Sequence, residues 1–200
     1  MAKLILVRHS ESEWNAKSLW TGWADIGLSE KGKEQARLAG EKLKGLSVDY
    51  AYTSLLLRTK QTLDEIKSVL GIDVPTTENI ALNERNYGIY TGKNKWEIQK
   101  EIGEEQFLKL RRCWDIPIQD GESLRDVYER VVPYYQTEIL PKLKDGKNVL
   151  IVAHGNSLRA LTKYLENISD DDISKLEIGV GEVDVFEIDA NGIIRSKNIL

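Results

Sequence analysis

Apolar residues fall along the chain in two rhythms, and the alternation of the two predicts its elements. Lys3 to Arg8 (KLILVR) is a nearly continuous apolar run, the pattern of a strand buried on both faces of a parallel sheet, and it ends at His9. After a polar loop, Ala36, Ala39, Leu43 and Leu46 recur at helical spacing behind Leu28 and Ser29, with Ser29 in the N-cap position. Asp49 to Thr53 predicts a second strand, and Leu56, Thr59, Leu63, Ile66 and Leu70 share one face of a helix that Gly71 stops. Positions 94 to 115 predict one or two shorter helices ending before Pro117. Leu124, Val127, Val131, Tyr135, Ile139 and Leu143 mark a long helix, with Pro133 as a potential kink. Lys147 to Ala153 (KNVLIVA) is the most strand-like run, and a helix over 156–165 follows it directly. Glu182 to Ile188 alternates, 189–192 turns, and a last short strand closes the chain.

Strands alternating with helices predict an α/β fold, a three-layer α/β/α sandwich with a mostly parallel central sheet. No repeat, linker or low-complexity stretch interrupts the pattern, so residues 1–200 are expected to form one domain. Hydrophobic residues make up 41% and charged residues 30%, which is globular usage and excludes both a disordered tail and a membrane protein. The apolar run Leu4 to Val7 is too short for a signal-peptide core, and the single cysteine, Cys113, can close no intrachain disulfide. A cytoplasmic location is therefore expected. The net charge of −4 gives no reason to expect nucleic acid or an anionic membrane as partner, and it makes any local gathering of arginines more informative.

In such sheets ligands bind beyond the carboxyl ends of the strands, where both histidines fall: His9 after the first strand, and His154 after the strand ending at Ala153. His154-Gly155-Asn156 opens a helix whose free amides favour an anion. Position alone leaves two readings open, strand-end histidines satisfied by backbone or a reacting pair. Arg8 adjoins His9, and Arg58 lies in the first turns of a helix that starts from the same end of the sheet. Guanidinium forks beside a neutral imidazole suit a transferring phosphoryl group, with the imidazole as nucleophile and the arginines on the phosphoryl oxygens. An arginine on a solvated helix face is the competing account of Arg58. Two histidines with no third ligand at suitable spacing argue against a zinc site, so no metal is expected.

The blocks LVRHSESEWN (6–15), WTGWADIGLSEKG (20–32), YTSLLLRTKQT (52–62), LNERNYG (82–88), GKNK (92–95), RRCWDIP (111–117) and VAHGNSLRALTKYL (152–165) resemble the cofactor-dependent phosphoglycerate mutases of the histidine phosphatase superfamily, in a short form. The resemblance implies that His9 carries the phosphoryl group in a pocket completed by Arg8, Arg58 and His154, with Asn15, Thr21, Gly22, Gly155 and Asn156 adding hydrogen bonds. It implies that Glu84 gives and takes the proton, although on residue grounds alone a salt bridge to Arg85 accounts for it as well. Tyr87, Lys95, Arg111 and Arg112 resemble the group that holds the substrate's acid end. Adjacent arginines on a helix point about 100° apart, so both reach one ligand only near a helix end. The implied reaction interconverts 3-phosphoglycerate and 2-phosphoglycerate, primed by 2,3-bisphosphoglycerate; the alternative is a histidine phosphatase acting on a small phosphorylated metabolite. The partner is then a small phosphorylated acid, and the chain a monomer or homodimer.

Departures from the family pattern carry expectations of their own. Ser10 stands where the family has glycine, and a serine Cβ restricts both positive φ and close backbone approach to a phosphate. The stretch between Arg112 and Gly121 is short, Gly179-Val180-Gly181 replaces Pro-Thr-Gly, and the sequence stops soon after the last strand. A less covered phosphohistidine is more open to water, which is the argument for the phosphatase.

Overall fold

The computed structural model describes residues 1–200. Its centre is a six-stranded sheet in the order β3-β2-β4-β1-β5-β6, built from Ala2–Arg8 (β1), Tyr50–Thr53 (β2), Thr76–Glu78 (β3), Val149–Ala153 (β4), Val183–Ile188 (β5) and Ile194–Ile199 (β6). β3, β2, β4 and β1 are parallel, while β5 runs antiparallel to both of its neighbours. The sheet is thus mixed but mostly parallel, as the alternation predicts.

Strand side chains alternate between faces, and β1 shows what that does. Ile5 and Val7 pack with Ala39, Leu43, Leu63 and Ile66, the apolar faces of Glu30–Lys42 (α2, after the four-residue α1, Glu13–Ala16) and Leu57–Leu70 (α3). Leu4 and Leu6 pack on the opposite side with Val127, Val131, Ile139 and Leu158. Those come from Leu124–Tyr134 (α6), the turn after it, and Gly155–Leu165 (α8). A third, smaller cluster of Trp20, Ile98, Phe107, Leu110 and Ile118 lies beneath Lys95–Ile102 (α4) and Glu104–Arg112 (α5), the two short helices expected over 94–115.

Ser29 caps α2 by accepting from the Gly32 N–H, and Gly71 ends α3 in the left-handed region at φ 64°. Three details differ from the sequence pattern. The long helix is not continuous: past Pro133 the backbone widens into a π turn over Tyr135–Ile139, where the Leu140 N–H donates to the Tyr135 carbonyl five residues back, before Leu140–Lys144 (α7). β5 does not alternate in burial, because it lies inside the sheet; Asp184 is buried there with its carboxylate 3.1 Å from Lys197 Nζ on β6. β3 was not expected, since its three residues are all exposed and carry no apolar signal.

Candidate active site

Both histidines come off the carboxyl ends of neighbouring parallel strands, since β1 and β4 pair with Arg8 opposite Ala153. Their rings meet edge to face with centroids 4.9 Å apart. His9 Nδ1 lies 2.7 Å from the Ser10 carbonyl, which can only accept. Nδ1 therefore bears the proton and Nε2 the lone pair, the state of a nucleophile. Burial, then the charges of Arg58 and Arg8, push the His9 pKa well below the usual histidine value, so the ring is neutral at physiological pH.

His154 is oriented by a short relay. Its Nε2 is 2.8 Å from Ser54 Oγ, which is 2.7 Å from Thr59 Oγ1, and the Thr59 hydroxyl donates to the Leu56 carbonyl. With the Thr59 proton spent on Leu56, Ser54 donates to Thr59 and His154 donates Nε2–H to Ser54. That leaves Nδ1 as a bare lone pair, buried and without a partner. Burial and Arg58 depress this pKa as well. A bound anion favours protonation at Nδ1, which then becomes a buried donor.

Seventeen residues, only three of them hydrophobic, line one cavity next to His9. Thirteen of the fourteen residues singled out in the sequence are among them; His154 is not, being fully buried behind the wall. Arg58 is buried too, and it is no solvated helix residue: its two terminal nitrogens donate to the carbonyls of Gly22 (2.7 Å) and Ala24 (3.0 Å). Burial lowers its pKa to about 10, which leaves it charged. Gly22 adopts φ 51°, and a Cβ there would stand 3.1 Å from the Tyr87 amide nitrogen, so the turn and its contact with the Tyr87 loop both need glycine. Gly155 opens α8 where a Cβ would lie 3.4 Å from Arg8 Nε, so the guanidinium rests against the helix N-terminus. Asn15 accepts at Oδ1 from the Ser12 amide and hydroxyl, leaving its NH2 free. Thr21 Oγ1, Arg8 Nε and Arg58 Nε are buried with no hydrogen-bond partner. Buried donors of this kind are costly unless something pairs with them, and an anion's oxygens fit them.

Glu84 does not pair with Arg85. Its Oε1 accepts from the Arg85 amide (2.8 Å) and from both the amide and the side chain of Asn156 (3.1 Å each). Oε2 has no protein donor and is the oxygen able to carry a proton to or from a ligand. Asn156 Nδ2 also lies 2.7 Å from the Tyr87 hydroxyl, whose pKa burial pushes up to about 12. Lys95 Nζ sits 5.9 Å over the Trp20 ring, and Arg111 lies 5.4 Å over Phe107, both without a carboxylate partner. α5 ends at Arg112, which is how adjacent arginines reach one cavity.

Sequence reasoning missed four lining residues, Trp20, Arg159, Glu177 and Ile178. Arg159 lies three residues beyond Asn156 on α8 and donates to its Oδ1 (3.0 Å), a helical spacing that was there to be read. It also missed the residues that fix the Glu84 loop. Arg130 donates to the carbonyls of Ala81, Asn83 and Glu84 and pairs with Glu122, while Trp23 Nε1 donates to the Glu84 carbonyl at 2.6 Å. Arg85 donates to the Leu110, Ile116 and Glu122 carbonyls, bridging the shortened stretch after Arg112. Ser10 avoids the strain its Cβ threatened: it is not among the residues with positive φ, and its amide donates to Thr62 Oγ1.

A lone-pair imidazole, ringed by guanidinium groups at the strand ends of a doubly covered sheet, is the equipment of a protein that holds phosphoryl groups at histidine. The model of the histidine phosphatase superfamily (branch 1) matches residues 4–198, and the chain belongs to that superfamily. It is 51% identical to the 2,3-bisphosphoglycerate-dependent phosphoglycerate mutase of Chelativorans sp. (strain BNC1), over 98% of this chain and 97% of the relative. A protein of the same name from Bradyrhizobium diazoefficiens is 49% identical, over 97% of this chain and 95% of the relative. Among solved structures, a mycobacterial glucosyl-3-phosphoglycerate phosphatase superposes with a TM-score of 0.82 at 24% identity, over 100% of this chain and 98% of that one, which is a likeness of fold. No helix is long and apolar enough to cross a membrane, and no three His, Cys, Asp or Glu side chains gather as a metal-binding group.

Proposed function

We propose that this chain is a 2,3-bisphosphoglycerate-dependent phosphoglycerate mutase, interconverting 3-phosphoglycerate and 2-phosphoglycerate through phosphorylated His9. The observation that carries the reading is one cavity in which His9, Glu84 and six basic side chains meet. That charge suits a ligand with a phosphate and a carboxylate, and the kinship to mutases at about half identity agrees. Bisphosphoglycerate, when bound, supplies the priming phosphoryl group; the free donors of Arg8, Arg58, Thr21 and Asn15 are placed for its oxygens.

In the proposed cycle His9 Nε2 holds the phosphoryl group while Glu84 Oε2 takes the proton from the acceptor hydroxyl. The phosphorus–nitrogen bond breaks as the new phosphorus–oxygen bond forms. Arg8, Arg58 and protonated His154 offset charge on the transferring oxygens, and Lys95, Arg111 and Arg112 hold the acid end. For the return half, Glu84 gives its proton to the departing oxygen and His9 takes back a phosphoryl group from the other position. We place the protein in the cytoplasm. The test is product analysis: bisphosphoglycerate-primed enzyme given 3-phosphoglycerate should yield 2-phosphoglycerate, and a mixture of only phosphate and glycerate would instead establish the phosphatase.

A further inference from the structure

The adjacent arginines at the end of α5 are not equivalent. Arg111 has no carboxylate partner, whereas Arg112 Nη2 is held at 2.7 Å by Glu177 Oε1. Glu177 and Glu84 are the only acids lining the cavity, and Glu84 Oε1 is already committed to Asn156 and Arg85. Glu177 thus presents the one carboxylate that answers a cavity arginine, in the place a ligand's own carboxylate would take. Its pKa is lowered by the bond to Arg112 and by the charges of Arg112, Arg111 and Arg8.

The Glu177 side chain is also free to leave. It is 66% exposed, so it can turn into water at little cost. Its backbone stays fixed meanwhile: Arg8 Nη1 donates to the Ile178 carbonyl at 2.6 Å, and the Gly179 amide donates to the Glu182 carboxylate at 2.6 Å. The segment is a rigid mount for a mobile carboxylate.

We propose that Glu177 is an internal competitor for Arg112: its carboxylate and that of a phospho-acid ligand exchange places on one guanidinium, so the acid end is bound loosely enough to leave. The exchange trades one ion pair for another, and part of the ligand's affinity goes into displacing Glu177. A ligand with the phosphate but no carboxylate leaves the pair intact and meets no such competition. The proposal deepens the mutase reading, on which it rests for the kind of acid bound.

The test compares binding of 3-phosphoglycerate and of glycerol 3-phosphate, which lacks the carboxylate, to unphosphorylated wild type and Glu177→Gln by titration calorimetry. Removing the competing charge should tighten 3-phosphoglycerate about threefold to fivefold, the scale of a half-exposed ion pair, and glycerol 3-phosphate by less than about 1.5-fold. Equal tightening of both ligands would show a diffuse charge effect and overturn the proposal. No change, or weaker binding of 3-phosphoglycerate, would overturn it too, the latter by making Glu177 part of the ligand's cradle. Product analysis on the same preparations judges the mutase reading separately, because the difference between the two ligands is read from binding without turnover.

Discussion

His9 and Arg58 line the inner end of the cavity and His154 lies behind its wall, at or beside the carboxyl ends of the parallel strands, and all three are buried. Lys95, Arg111 and Arg112 occupy the outer end, on α4 and α5, which rest on a separate five-residue core rather than on the sheet. At the inner end one nitrogen of each imidazole and both terminal nitrogens of Arg58 are fixed by a backbone carbonyl or a hydroxyl relay, so ring tautomers and the guanidinium plane are set before any ligand arrives. At the outer end the cations sit over aromatic rings or pair with an exposed carboxylate. The two constructions match two tasks. Bond making needs groups already in place, because reorganisation during the reaction costs rate. Holding and releasing an acid needs contacts that can be exchanged.

If that division is right, substitutions at the inner end should act on turnover and those at the outer end on affinity. The largest effect is expected from His9→Ala, which removes the nucleophile: turnover should fall at least about a thousandfold, with no label retained from bisphosphoglycerate, while ligand affinity changes little. Glu84→Gln keeps the bonds to Oε1 but cannot carry the proton, and should lower kcat about a hundredfold. Slow labelling of His9 by bisphosphoglycerate should survive, which separates proton transfer from nucleophilic attack. A loss confined to KM would move Glu84 to the other side of the comparison.

Arg130→Met probes the frame that holds Glu84. It strips donors from three carbonyls and leaves Glu122, whose side chain is 17% exposed, without its cationic partner and with only the Asn86 amide as donor. Urea unfolding should show a loss of about 3 kcal/mol, and kcat should fall about twentyfold with the dissociation constant for 3-phosphoglycerate nearly unchanged. If stability falls while kcat holds, the frame is structural only.

The inner end was the more legible in sequence, for a physical reason. Its residues sit where an apolar strand gives way to a loop or helix, and both strand and helix announce themselves by periodicity, as at Val7-Arg8-His9 and Ala153-His154-Gly155. The roles of Glu84, Lys95 and the arginine pair came from the family resemblance, since a charged side chain on a loop or short helix has no pattern of its own. The partners that fix the site were not legible at all. Arg130 reaches Glu84 across 46 positions and Ser54 reaches His154 across 100, and no local signal encodes such pairs. Glu177 escaped because its segment has neither period; only the folded chain sets it against Arg112. β3 shows the same limit in the sheet, where an exposed edge of three residues needs its neighbour β2 to be a strand.

The smallest effect belongs to the outer end and is read through pH. Burial, together with Arg111 and Arg8, lowers the Lys95 pKa from 10.5 to about 8. Only the ammonium form attracts the ligand's anionic groups, and a bound anion raises the pKa again, so above pH 8 binding must take up a proton. Affinity is therefore fully present below that pH and is lost as pH rises through it. KM for 3-phosphoglycerate should climb about fivefold between pH 7.5 and pH 9, while kcat does not follow this limb. Lys95→Met should raise KM at pH 7 and flatten this limb, whereas Lys95→Arg, which stays charged, should flatten it while keeping the lower KM. A rise in KM that persists unchanged in both variants would assign the titration to another group and take Lys95 out of the acid-holding set.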